Sequence, residues 1–251
     1  MAGAVEAFQL AAASGDTRHS VPAALHLWIL QSEVGDSRAV DEAYLLAVDV
    51  LAQKRAYEDM PVAQKSLGLG THIACYQREF VQSARRALHR SVNSEDPVSV
   101  SLAAMGLAGL EMQDLEVTYG YADVSAAKAV IKRSLLRVID SGLPDYVVVA
   151  AKWLASISEQ TGDVDLARIA LRAAMDSGNS EDACHAVSRV GRLFKREGQT
   201  EEAITAMRFV VENSQTGLAR LASEDLGDLL TAQGDTEGAR AAYHRARERE
   251  R

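Results

Sequence analysis

Three glycines set the frame for this chain: Gly162-Asp163, Gly198-Gln199 and Gly234-Asp235 recur in two equal steps of 36 residues. Ala167, Ala203 and Ala239 each follow their glycine by five positions. Between these turns there is room for one helix before each glycine and one after it. A fixed period of this size specifies a stack of helix–turn–helix units, because a single hairpin cannot bury its apolar face alone and must lean on a neighbour.

The spacing predicts helices over 145–160, 164–177, 180–196, 201–213, 216–232 and 237–248. In the fifth, Leu218, Ala222, Leu226, Leu229 and Leu230 form an apolar stripe at three-to-four spacing, and the two-residue alternation of a strand is missing. Asp163, Thr200 and Thr236 are expected as N-caps, with Asp165, Glu201, Glu202 and Glu237 in the first turns, where carboxylates suit the positive helix end. Ala155, Gly191 and Gly227 share one slot of the first helix in each unit. A glycine inside a helix costs ~1 kcal/mol against alanine, so its recurrence points to a close helix contact. Leu154, Leu171, Phe194, Met207, Leu226 and Tyr243 are expected to fill the space around that contact.

These features resemble the tetratricopeptide repeat family. The large-small pairs Leu154-Ala155, Val190-Gly191 and Leu226-Gly227, the glycine turns and the following alanines all fit its pattern. The family's early tryptophan slot instead holds Ala151, Val187 and Ser223, and no proline follows Ser177 or Asn213. The resemblance implies an all-α, right-handed superhelical solenoid of about six hairpins, whose first helices line the concave face.

Upstream the pattern is looser. Val5, Phe8, Leu10 and Ala12 outline a short helix closed by Ser14-Gly15-Asp16; Pro22 is placed in the first turn of the next, which ends near Gly35-Asp36. Pro61 and Pro97 mark further helix starts, and Leu67-Gly68 and Met105-Gly106 repeat the large-small pair. Residues 1–110 are thus expected as degenerate hairpins, 111–123 as an interrupting loop and 124–251 as regular repeats of one continuous solenoid. The interruption is either an elongated turn or a loop presenting Tyr119 and Tyr121 at an interface.

Composition narrows the function. No apolar run approaches the ~20 residues of a membrane span, and Met1 to Ala13 lacks the basic start of a secretory signal. Two distant cysteines, Cys75 and Cys184, make no disulfide framework, so a cytoplasmic setting is expected. A net charge of −8 disfavours nonspecific nucleic-acid binding. Gly68-Leu69-Gly70 lacks the lysine and strand of a phosphate loop. His72 with Cys75, and Cys184 with His185, do not assemble the four ligands of a structural zinc site. No catalytic residue, cofactor or metal is expected.

The candidate binding residues are charges on the first helices: Lys152, then Arg189, Arg192 and Arg196, then Glu224, Asp225 and Asp228. If neighbouring first helices lie side by side, a basic stripe borders an acidic one. These stripes either receive a partner of mixed charge, or are simply solvated or pair with each other. The family's carboxylate clamp fits poorly: Lys152 occupies one clamp slot, but Ser156 and Arg189 replace the asparagines, while Leu221 and Asp225 replace the other basic residues. The expected function is a noncatalytic scaffold that binds a protein segment or peptide on the concave face. The alternative is a module that senses a small ligand or signal peptide and controls a partner protein. Oligomeric state is not legible in the sequence.

Overall fold

The computed structural model describes residues 2–34, 37–55, 59–76, 78–118, 124–178 and 180–248. Among them are thirteen helices and no strand. Contacts divide the chain into two compact units, Met1–Leu143 and Pro144–Arg251.

The second unit holds α8 (Pro144–Thr161), α9 (Val164–Asp176), α10 (Glu181–Arg196), α11 (Thr200–Asn213), α12 (Gly217–Ala232) and α13 (Thr236–Glu248). All six lie within one or two residues of the spans expected from spacing. The reason is local. Gly162, Gly198 and Gly234 take φ of 71°, 72° and 84°, a left-handed conformation that ends each first helix cheaply only at glycine. The chain then closes on itself: the Gln199 amide donates to the Phe194 carbonyl at 2.8 Å, and the Asp235 amide to that of Leu230 at 2.9 Å. Asp163 caps α9 as expected, accepting from the Leu166 amide at 2.9 Å. Thr200 and Thr236 do not cap; each is the first residue of its helix. At the last turn Asp235 takes that role, accepting from the Gly238 amide at 2.8 Å.

Within this unit each first helix packs on its second, and α8, α10 and α12 also touch one another in that order. Ala155, Ala167 and Ala203 are fully buried and Ala239 nearly so. A Cβ on Gly191 would come within 2.8 Å of the Met207 methyl, and one on Gly227 within 2.5 Å of the Tyr243 ring. Met207 and Tyr243 are themselves one repeat apart, so each glycine is small because the same neighbour slot on the second helix is large.

The first unit holds α1 (Ala2–Ala12), α2 (Thr17–Val34), α3 (Ser37–Arg55), α4 (Val62–Ile73), α5 (Arg78–Ser91), α6 (Pro97–Thr118) and α7 (Val124–Asp140). Pro61 and Pro97 do mark helix starts, at the N-cap of α4 and the first residue of α6. Pro22 does not: α2 begins five residues earlier, at Thr17, where the Asp16 carboxylate accepts from the Arg18 amide at 3.0 Å. The first part of the stretch expected as a loop, 111–118, is helical instead. α6 continues through Thr118, and residues 119–123, including Tyr119 and Tyr121, lie outside the described ones. Glu111, a polar residue at the start of that stretch, is buried with its carboxylate 2.5 Å from Arg85 of α5, so it faces a packed helix. The principal partner of α4 is α6, not the sequence-adjacent α5. A Cβ on Gly70 would overlap the Gly106 carbonyl, and one on Gly109 the Leu67 carbonyl, whereas Gly68 has open space around it. The close contact therefore falls at Gly70, two residues beyond the expected pair.

Candidate functional site

Two turns of α8 separate Lys152 from Glu159, and two turns of α10 separate Asp182 from Arg189. Seven residues rise about 10 Å along a helix, so two cross-links can form at matching heights when the helices lie side by side. Both form. The Lys152 ammonium lies 2.5 Å from Asp182, and the Arg189 guanidinium 2.8 Å from Glu159. Arg196 reaches back to α8 as well, donating to the Glu159 carbonyl at 3.1 Å.

Across the next seam the cation is Lys195, a residue outside the expected set. Its ammonium lies 2.7 Å from Asp225 and 3.0 Å from Asp228 on α12. Asp228 also accepts from the Tyr243 hydroxyl at 2.8 Å. Burial would lower the Lys195 pKa, but the bonds to Asp225 and Asp228 outweigh it and hold the ammonium above the ordinary lysine range. The Tyr243 hydroxyl and the Lys195 bond hold the Asp228 carboxyl below its ordinary range. Glu224 pairs within α12, with Arg220 one turn before it at 2.5 Å.

The two stripes do not pair with one another: Asp182, Glu159 and Glu197 hold the basic residues, and Lys195 and Arg220 hold the acidic ones. Lys152, Arg189, Arg196, Glu224, Asp225 and Asp228 all have protein partners. Arg192 differs. It is exposed, and no hydrogen bond or ion pair reaches it among the described residues. Leu221 on α12 is a further unshielded group, 42% exposed. The linked side chains are about one-third exposed, so each pair contributes only ~0–1 kcal/mol to stability. Their larger effect is to fix where the charges sit.

One offset could have revealed Lys195 from sequence. Lys152 with Asp182, Glu159 with Arg189 and Lys195 with Asp225 are all 30 residues apart. In a stack of period 36, that offset links facing positions on successive first helices. Opposite charges at that spacing are the sign to look for.

Chemically the face offers charge recognition. Its carboxylates are neutralised by cations, and no group of metal-holding side chains occurs among the described residues. Cys184 is fully buried, and burial pushes its thiol up to about 11, so it is not a thiolate at neutral pH.

Residues 123–251 match the family described as the tetratricopeptide repeat-like domain. No curated protein matches the chain. Among solved structures, the crystal structure of BtubC (BKLC) from P. vanneervenii aligns at a TM-score of 0.51 and 19% identity, covering 96% of this chain and 90% of that one. At that identity the likeness shows a shared helical fold. No helix among the described residues is long and apolar enough to cross a membrane.

Proposed function

Since the chain belongs to the tetratricopeptide repeat-like family, which it matches over residues 123–251, we propose that it is a noncatalytic protein-interaction scaffold. The face of first helices α8, α10 and α12, the concave side in this family, receives a protein segment. The observation that carries this proposal is the contrast on that face. Most charges are locked in cross-helix pairs, while Arg192 beside them is exposed and has no partner among the described residues. A preset charge pattern beside an exposed cation recognises a partner at low ordering cost. Leu221, on α12, offers exposed apolar area on the same row of helices. The segment this face selects presents a carboxylate to Arg192 and an apolar side chain to Leu221.

The test is capture from extract followed by mapping of the bound segment, with Arg192→Glu and, as charge-matched control, Arg247→Glu on the exposed end of α13. Arg192→Glu should weaken capture about tenfold and leave helicity unchanged, since no internal bond is lost. Equal loss in both variants would reduce the effect to net charge. Unchanged capture by Arg192→Glu would move the site off this face.

A further inference from the structure

The first unit contains a pocket of about 390 Å³, within the usual range for small-ligand sites. Its walls come from the end of α2 (Ser32), the start of α3 (Asp41), the end of α5 (Arg90) and the turn before α6 (Asn93 and Glu95). Behind Asp41 a narrower recess is lined by Trp28 and Tyr44.

The walls are tied together by bonds between residues far apart in sequence. The Arg90 Nη1 donates to the Ser32 carbonyl at 2.9 Å, joining α5 to α2. Arg137 of α7 donates to the Val92 carbonyl at 2.7 Å and to Asn93 Oδ1 at 3.2 Å, fixing the turn. The Ser99 hydroxyl lies 2.5 Å from Asp41 Oδ2 and 2.7 Å from Asp96 Oδ2, joining α3 to α6. A pocket held this way is preformed, and little ordering is left for a ligand to supply.

Its electrostatics are lopsided. One hydroxyl proton cannot serve two carboxylates at once. Asp96 also accepts from the Ser99 amide at 2.7 Å, and these bonds hold its carboxyl below the ordinary range. Burial pushes the Asp41 carboxyl the other way. Asp41 is thus a half-buried carboxylate at the pocket wall with no cation bonded to it among the described residues. Glu95 adds negative charge at the rim, and Arg90, the one cation of the lining among the described residues, is tied to the Ser32 carbonyl.

We propose that this pocket receives a lysine or arginine side chain of a bound peptide segment. The cationic head sits against Asp41 with Glu95 at the rim, and the remaining N–H groups of Arg90 meet a neighbouring peptide carbonyl. The space exceeds what a lone ammonium fills, and the rim carries both donors and acceptors for a backbone. This site lies within the first unit and is independent of the α8, α10 and α12 face, so either can fail alone.

The experiment is calorimetric titration of the full chain with acetyl-Gly-Arg-Gly-amide, the same peptide with citrulline in place of arginine, and free agmatine. Citrulline keeps the shape and removes the charge. The arginine peptide should bind, the citrulline peptide about tenfold more weakly, and agmatine more weakly than the arginine peptide. Asp41→Asn should weaken the arginine peptide about tenfold and Glu95→Gln about twofold, with Asp165→Asn on α9 unchanged. No binding at millimolar peptide, equal binding of the citrulline peptide, or full affinity in Asp41→Asn would overturn the proposal. Agmatine binding as tightly as the peptide would overturn the assignment to a peptide segment. Should circular dichroism show Asp41→Asn unfolded, the citrulline comparison and the exposed Glu95→Gln decide.

Discussion

Lys195 holds Asp225 at 2.7 Å across the seam between α10 and α12, at the two positions that Glu159 and Arg189 occupy one repeat earlier. The same cross-link is made twice with its charges exchanged. This order has a consequence for assembly of the stack. Were α8 to pair with α12 directly in the same register, Glu159 would face Asp225 and the contact would be repulsive. Alternating polarity therefore specifies the sequence of repeats as well as their spacing, although each pair contributes little to stability.

A charge-swap experiment tests this. Arg189→Glu sets a carboxylate against Glu159 and should lower stability by ~1 kcal/mol in denaturant unfolding. Adding Glu159→Lys should recover most of that loss, giving a coupling of ~0.5–1 kcal/mol in the double-mutant cycle. No coupling would mean the 2.8 Å pair is not maintained in solution.

The glycines should rank by what faces them. Gly70→Ala drives a Cβ into the backbone of α6 and should be the most damaging, at ~3 kcal/mol or more. Gly227→Ala meets the Tyr243 ring and should cost ~1–3 kcal/mol. Gly191→Ala should be milder, because one of its two neighbours is the flexible end of Met207. Gly217→Ala, with open space around it, should be near neutral; Gly238 is a poor control, since a Cβ there would meet the Asp235 carboxylate. Thermal unfolding of the four variants checks the order.

Acid should weaken the first unit through His26. The ring stacks on Phe8 at 5.2 Å and meets Phe80 edge-on at 4.1 Å, and burial lowers its pKa. A histidine with a lowered folded pKa binds fewer protons folded than unfolded. Its contribution is present above the ordinary histidine range and is lost as pH falls from that range toward the folded value. His26→Phe should therefore flatten the decline in stability between about pH 7 and pH 5. An unchanged pH profile would place the loss on other groups.

Thiol labelling should separate the two cysteines. Cys75 is exposed and should react promptly with a disulfide reagent in the folded protein. Cys184, fully buried and with its thiol pushed up to about 11, should react only on unfolding. Prompt reaction of both would mean that α10 opens readily.

Sequence alone determined the helical class and the repeat frame, and in the second unit the helix ends to within a residue or two. Those features are local. Helical spacing is set by neighbours three and four apart, and a turn glycine is fixed by its own φ, 72° at Gly198. The charged stripes were legible too, as residues on one helix face. Only the tertiary structure decided which charge meets which. It introduced Lys195 as the cation for Asp225 and Asp228, carried α6 through Glu111 on the strength of Arg85, and moved the α4–α6 contact from Gly68 to Gly70. Each of these depends on distance between residues more than twenty-five positions apart. A helical pattern specifies which residues share a face but not the rotation and height at which two helices dock. Those are settled by how all the side chains between them fit at once.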